Sequence, residues 1–600
     1  MAFPPPGAVT LGGLLGEALD ANRRGRLSTF VTDEHSPAIA IFAPERVAAN
    51  EDGDWYGEHA GKWLVAATRA AVRAGDDALL ARVRHVADWL IERQDDDGYL
   101  GNYAPARRFM VPQPPKPVTW DGAPALRTWD VWTHSYLILG LIQLFRTTGD
   151  DHYLAAARRI GDLCWRTLDG GIDITDLGNH FGLSATVLID PAAELFLVTQ
   201  EPRYRALAER ALAQAEREPR NRLLTQALNG IDPSGIATGK AYQLLWNLVG
   251  LAKLFRATGN RRYLAAVTAA WTAVRDDHLT LGGGPWGGVA HRSREVFNPA
   301  GTFHPEAYVE TCSTMAWIQL NRELLGILGE PRFAEEIERS AYNDLLGAQA
   351  PDGEDWCYYS FPNGRRVHTT YWRCCKSSGA MALEELPSLA FATTADGVVV
   401  NLLGPATADL TWDDVPVRVV QRTAYPLDGR IEIDVSPERP TRFAIDVRIP
   451  GWAEEASLVV AGRSVATVPG TYARIEREWR NGDTMTLDLP LTPRIVPATR
   501  RNVQESLTPE GEKVAQQVLG FDYLAIARGP LAYATGLIDG FRTGETVRAS
   551  DVSLAVDGET VWLHAAGRPP IAFEPYYRAG GRHHGAWRLT WLGVAPDEAA

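Results

Sequence analysis

Cysteine is scarce in this chain, five residues in 600, and methionine is equally rare. So few thiols exclude a disulfide framework, which needs a dense set of them. Long apolar runs are missing too: no window of 18 or more apolar residues occurs, so nothing is built to span a membrane. The opening stretch MAFPPPGAVTLGGLLGEALDANRRG has neither a basic leader nor an unbroken apolar segment. No secretory signal is expected from it, and a cytoplasmic location is the expectation that follows. Positive charge is in deficit, with 60 Lys and Arg against 74 Asp and Glu and a net charge of −14. A nucleic-acid or anionic-membrane partner would need a basic face, so neither is expected. What is present is 45% hydrophobic and 22% charged residues, the balance of an ordinary globular protein. A chain of 600 residues allows roughly three or four domains, with core enough to need no staples.

The first two-thirds read as helical, and they repeat. LGLIQLFRTTGDDHYLAAARRI (139–160) returns as LVGLAKLFRATGNRRYLAAV (248–267), with weaker copies at 66–86, 192–211 and 321–340. Each is an apolar helix, a short turn and a second, amphipathic helix. The turns are Gly75-Asp76, Gly149-Asp150, Gln200-Glu201, Gly259-Asn260 and Gly329-Glu330. Gly past a helix end, followed by an acidic or amide residue, is a stop-then-start signal. Spacings of 51 to 74 residues between turns put long loops at the opposite ends of the hairpins. Five hairpins with room for a sixth predict a closed (α/α)6 toroid; an open α-solenoid is the alternative. The far-end loops QDDDGYLGNY (94–103), TWDVWTHSY (128–136), GGGPWGGVAHRSREVF (282–297) and APDGEDWCYYS (350–360) gather aromatics with carboxylates. Such loops suit a sugar pocket, because aromatic faces stack on the apolar faces of sugars.

Near residue 395 the apolar period changes from 3.6 to 2. Ile431, Ile433 and Val435 share one face, as do Phe443, Ile445, Val447 and Ile449, and Met485, Leu487 and Leu489. Short alternating strands predict a β-sandwich over 395–497. The polar run at 498–517 reads as a linker or long loop, followed by a second, smaller β module. The predicted organisation is therefore multidomain, α plus all-β: a catalytic toroid over 1–394, then β-sandwich modules over 395–497 and 498–600.

Two stretches carry candidate chemistry. In HPEAYVETCSTMAWIQLNRELL (304–325), Glu310 and Cys312 lie two apart just before a helix; in RCCKSSG, Cys374 and Cys375 are adjacent. Neighbouring Cα atoms sit about 3.8 Å apart, whereas a disulfide wants about 5.5–6 Å. With Thr311 or Ser313 as the cap, Glu310 and Cys312 would share a face of an extended segment, and the two adjacent thiols also precede a helical start. Helix N-termini favour thiolate, and three thiolates with one carboxylate make a tetrahedral Zn²⁺ set. The competing reading is that all of these cysteines are small core residues, as Cys164 and Cys357 are expected to be.

The pair VETCSTMAWIQLNRELL and YWRCCKSSG resembles the Glu-x-Cys and Cys-Cys signature of the β-L-arabinofuranosidase superfamily, glycoside hydrolase families 127 and 146 and their relatives. The resemblance runs nearly the full length, through WYGEHAGKWLVAA, ERQDDDGYLGNY, FAIDVRIPGWAEEASLVVAGR and ARGPLAYA. It implies an (α/α)6 barrel followed by β-sandwiches, and a Zn²⁺ ion held by Glu310, Cys312, Cys374 and Cys375. It also implies Cys374 as nucleophile at the anomeric carbon, with Glu295 of REVF as general acid/base. A solvated Glu295 paired with Arg292 or Arg294 is the plainer alternative. Among pocket positions, Tyr359 of CYYSF matches the family tyrosine and His134 falls near a family histidine, while Lys240 stands where the best-known members carry histidine. Those members also read Cys-Cys-Pro-Pro, against Cys374-Cys375-Lys376-Ser377-Ser378 here.

The expected activity is a retaining, zinc-dependent exo-glycoside hydrolase acting on a small glycan or oligosaccharide, with β-L-arabinofuranoside as the substrate that the resemblance implies. Lys240 would suit an acidic or modified sugar. A sugar isomerase or epimerase on a helical toroid is one alternative, and would depend on histidine acid/base pairs rather than Cys374. A non-catalytic carbohydrate-binding protein with structural zinc is the other. The partner expected is a carbohydrate substrate, with a homodimer left open.

Overall fold

The computed structural model describes residues 1–50, 56–110, 128–288, 295–369, 374–538, 546–548 and 552–595. Twelve helices frame its first part: α1 Gly13–Asn22, α2 Glu58–Ala74, α3 Asp77–Ile91, α4 Asp130–Thr148, α5 Asp151–Asp169, α6 Ile189–Thr199, α7 Pro202–Ala215, α8 Ala241–Thr258, α9 Arg261–Asp277, α10 Thr311–Leu328, α11 Pro331–Ser340 and α12 Cys374–Ala390. Six of them form an inner ring in which α2 packs on α4, then α6, α8, α10 and α12 follow, and α12 packs back on α2. That last contact closes the toroid and excludes the open solenoid.

Inner and outer helices differ as their sequences require. In α8 every residue from Ala241 to Leu254 is buried, because it meets neighbours on all sides and carries apolar residues all round. Outer α5 buries one face, Tyr153, Ala156, Ala157, Ile160, Gly161, Leu163, Cys164 and Leu168, and turns its arginines outward. Cys164 is a core thiol, as expected, and burial pushes it up to about 12. The sixth pair is not a hairpin. Its outer member is α1, which packs on α12 from the far end of the sequence.

The five turns behave as their residues dictate. Gly75, Gly149, Gln200, Gly259 and Gly329 all end helices in the left-handed region, with φ of 62°, 70°, 58°, 68° and 69°. The carboxyl or amide of the next residue then caps the outer helix: Asp76 accepts from Leu79 N, Asp150 from His152 N and Asn260 from Arg262 N. Glu201 and Glu330 make no such bond, and Pro202 and Pro331 open those helices instead.

After Ala390 the chain turns to strands. A seven-stranded sheet runs in the order Val9–Leu11, Ala406–Trp412, Val415–Thr423, Arg430–Pro437, Asp483–Asp488, Ser457–Val460 and Arg463–Val465. A four-stranded sheet of Thr471–Trp479, Thr441–Ile449, Gly397–Val400 and Phe391–Thr393 completes the sandwich. Ile431 pairs with Leu487 and Ile433 with Met485, so the alternating faces read from the sequence meet and are buried. A third, eight-stranded sheet carries the C-terminal part.

The polar run at 498–517 is not a linker or a long loop. It lies in the two arms of a hairpin, Pro493–Leu507 against Lys513–Arg528. A ribbon held by backbone pairing needs no buried face, so the apolar alternation that marks a strand in sequence is weak there. Among the described residues, no helix is long and apolar enough to cross a membrane.

Candidate active site

The N-terminal turns of α2, α4, α8, α10 and α12 carry the candidate site residues, because inner helices enter the ring from the loops rich in aromatics. Glu310 sits in the short strand Val309–Glu310, paired with Tyr359–Ser360, and its backbone is extended at the N-cap of α10. Cys312 is already the second residue of that helix, and Cys374 and Cys375 are the first two of α12. The expected extended setting therefore holds for Glu310 and not for the thiols. An N-cap side chain folds over the first turn, and that brings Glu310 to Cys312. Neither Thr311 nor Ser313 caps α10 with its side chain; Thr311 Oγ1 donates to Cys357 O at 2.7 Å.

The four donors converge. Cys312 Sγ lies 3.5 Å from Cys374 Sγ and 3.1 Å from Cys375 Sγ, and Cys375 Sγ lies 3.8 Å from Glu310 Oε1. One ligand atom from each lies within 4.8 Å of every other. Tetrahedral donors at zinc distances would stand about 3.5–3.8 Å apart, so the set fits such an ion. Glu310, Cys312 and Cys375 are sealed from solvent, whereas Cys374 keeps 8% of its surface. Hydrogen bonds from Cys312 and Cys375 hold the Cys374 thiol well below its ordinary value, while burial pushes Cys312 and Cys375 well above theirs.

A second group lies along the same strand pair. Tyr359, opposite Glu310 in the ladder, donates from its hydroxyl to Glu295 Oε1 at 2.5 Å. Lys240 forms an ion pair with the other oxygen of Glu295, and both side chains are largely buried. Glu295 is not a solvated carboxylate and Lys240 is not an exposed helix-start lysine; the pairing of Glu295 with Arg292 or Arg294 lies outside the described residues. The backbone of Glu295 is in the left-handed region, φ 57°, with its N–H donating to Tyr308 Oη at 2.9 Å and its carbonyl accepting from Ala241 N at 3.0 Å. A non-glycine residue held there costs of order 1–3 kcal/mol and needs such clamps. Tyr358 joins the two groups, its hydroxyl 3.4 Å from Cys374 Sγ and its ring 4.6 Å from that of Tyr359.

His134 stands apart from both. Its Nε2 accepts from Leu100 N at 3.3 Å, and its ring stacks on Phe109 and meets Tyr99 edge-on. Burial, with Arg108 adding to it, lowers its pKa to about 3. Cys357 is a buried core thiol in a short strand, as expected.

Sequence reasoning missed Lys62, Ser378 and Tyr358. Lys62 Nζ, fully buried, donates to Ser378 Oγ at 3.0 Å and lies 3.3 Å from Glu58 Oε1. Ser378 Oγ is 3.2 Å from Cys312 Sγ. Adjacent Ser377 instead meets His59 Nδ1 at 2.7 Å and Arg26 at 3.4 Å, while Lys376 pairs with Asp355 at 2.5 Å. The sequence signal was three consecutive polar residues, Lys376-Ser377-Ser378, directly after the paired cysteines.

Comparison with known proteins bears on this arrangement. Residues 19–388 match the family model for the β-L-arabinofuranosidase GH127 catalytic domain, and residues 397–491 match that for the GH127 middle domain. The chain is 22% identical over 589 residues to a non-reducing end β-L-arabinofuranosidase of Bifidobacterium longum subsp. longum, covering 88% of this chain and 84% of that one. A solved GH127 β-arabinofuranosidase superposes with a TM-score of 0.78 at 20% identity, covering 99% of this chain and 98% of the other. A GH127 β-L-arabinofuranosidase from Geobacillus stearothermophilus T6 gives 0.74 at 20% identity, covering 98% and 100%.

Proposed function

This chain belongs to the GH127 β-L-arabinofuranosidase family of glycoside hydrolases, and on that premise we propose that it is a retaining exo-hydrolase with Cys374 as nucleophile and Glu295 as general acid/base. The observation that carries the reading is the asymmetry of the thiol cluster: of its four members Cys374 alone keeps appreciable exposure, and Tyr358 links it to the group that holds Glu295.

Glu310, Cys312, Cys374 and Cys375 would hold a Zn²⁺ ion. When bound, it keeps the thiols deprotonated at neutral pH. The Cys374 sulfur attacks the anomeric carbon, forming an S–C bond as the C–O bond to the leaving group breaks. Glu295 gives its proton to the departing oxygen. In the second half Glu295 takes a proton from water, whose oxygen bonds to the anomeric carbon while the thiolate departs. Two displacements at one carbon retain its configuration. Tyr359 and Lys240 fix both oxygens of the Glu295 carboxylate, the form that serves as base in the second half; when Glu295 takes up the proton it gives as an acid, one of these contacts yields its place to that proton. Because the Lys240 ammonium is engaged by Glu295 from within the chain, the reading favours a neutral sugar over one bearing a carboxylate.

A β-L-arabinofuranoside at the end of a small glycan or oligosaccharide is the proposed substrate. The division into a catalytic unit over 1–394 and β modules over 395–497 and 498–600 belongs to the same proposal.

The test is hydrolysis of an aryl β-L-arabinofuranoside by wild type, Cys374→Ser and Glu295→Gln, with the metal content of each measured. Cys374→Ser is expected to lose activity altogether. Glu295→Gln is expected to fall about 10²–10⁴-fold, and to recover turnover with added azide, which needs no base. Wild-type rates from Cys374→Ser would remove the nucleophile assignment, and equal rates from metal-free and zinc-loaded protein would remove the metal.

A further inference from the structure

The buried lysine beneath the thiol cluster has no part in the chemistry above. Lys62 is fully enclosed in the first turns of α2, with its Nζ 4.6 Å from the ring centre of Tyr136 and 5.1 Å from that of Tyr242. An ammonium taken from water must have its hydrogens satisfied. Ser378 on α12 takes one, and Glu58, four residues earlier on the same helix, lies 3.3 Å away.

We infer that Lys62 and Ser378 form a hydrogen-bond relay that anchors Cys312 as the fixed thiolate of the metal site, leaving Cys374 as the exchangeable one. The inference rests on the metal reading of the cluster. It follows from what each atom can do. A lysine nitrogen only donates, so Ser378 Oγ is the acceptor in the 3.0 Å contact with Lys62. Cys312 Sγ lies 3.2 Å from that oxygen, and as a neutral thiol it donates to Ser378 Oγ; once metal binding takes the thiol proton, the serine hydrogen turns toward the sulfur. A metal-bound thiolate carries no hydrogen and can only accept. The order is therefore Lys62 N–H to Ser378 O, then Ser378 O–H to Cys312 S, with both bonds polarised toward the sulfur.

Charge supports the same order. Three thiolates and a carboxylate carry two negative charges more than a divalent ion neutralises, and Lys62 brings one positive charge from the sealed side, since burial raises its neighbour Glu58 to about 8 and keeps that carboxyl neutral. The same charge also acts on Cys374, so what separates the two thiols is the hydrogen bond through Ser378, which reaches Cys312 alone among the described thiols. The contact of Cys374 outside the cluster is the Tyr358 hydroxyl at 3.4 Å, on the side that keeps some exposure. Lys62 and Ser378 are thus positioning residues for the metal site, because outer-shell donors orient ligands and tune their hold on the ion.

The probe is Co²⁺, read by chelator competition and by the thiolate-to-cobalt charge-transfer absorption of the folded protein. Ser378→Ala and Lys62→Met are expected to weaken Co²⁺ binding about 10-fold to 100-fold and to shift the absorption. Ser378→Thr, which keeps the hydroxyl, should restore the wild-type band. Ser377→Ala, whose hydroxyl faces His59 and Arg26, should leave the band unmoved. Should Lys62→Met fail to fold, Ser378→Ala decides alone. An unchanged affinity and spectrum in Ser378→Ala would overturn the relay while wild-type uptake leaves the metal reading intact. A wild type that takes up neither Co²⁺ nor Zn²⁺ would overturn both.

Discussion

Inside the toroid His134 is held neutral by burial, with a pKa lowered from 6.5 to about 3. The unfolded chain protonates it first, so its contribution to stability is intact above pH 6.5 and is lost as pH falls toward 3. Within that window each pH unit removes about 1.4 kcal/mol. His134→Gln keeps an acceptor for Leu100 N–H but does not titrate. Chemical denaturation of both proteins at pH 7 and pH 5 should find the variant losing about 2 kcal/mol less. At this scale the sequence was legible where a residue is chemically rare. Glu310, Cys312, Cys374 and Cys375 were found as ligand candidates because thiols are few, and they do converge. Lys62 was not, because a lysine reads as surface in any sequence and only the closed ring shows that α2 turns it inward.

Among the elements, the five turns follow local chemistry closely enough to be read without a structure: a left-handed residue, then a cap or a proline. Gln200 is the one non-glycine among them, at φ 58°. Gln200→Gly should therefore stabilise the protein by up to about 1 kcal/mol, and Gly259→Ala, with open space around its Cβ, should cost about 1–2 kcal/mol. Thermal unfolding of the two variants would show shifts of opposite sign. Strands with a buried face, such as Arg430–Pro437, were equally legible through their alternation. The hairpin Pro493–Leu507 with Lys513–Arg528 was not, since pairing between two backbones leaves no side-chain pattern to read. The start of α10 was misplaced by one residue, or by three, for a related reason. Its N-cap is a metal-ligand candidate, Glu310, rather than the Thr or Ser that helix starts favour.

At the scale of the whole molecule the proposed ion would tie α10 to α12, two neighbours in the ring. Binding the folded state alone, zinc at about 100 times its dissociation constant should add about 2.7 kcal/mol. Removing it with a chelator should lower the unfolding temperature, and Cys375→Ser should abolish that difference. Ring closure also depends on the beginning of the chain, where α1 packs on α12 and Val9–Leu11 pairs with Ala406–Ala408. Deleting residues 1–22 should therefore leave protein that does not assemble the thiol site, seen as lost metal uptake and a lost cooperative transition.

That dependence sets an order of events during synthesis. α1 leaves the ribosome first, but its partner α12 ends at Ala390. At about 5–20 residues per second, the early helix waits some tens of seconds for the element it covers. Cys374 and Cys375 sit on that late element, so a growing chain holds no complete set of donors until the ring is nearly closed. Cys374 is then delivered into an enclosure whose other walls are already made.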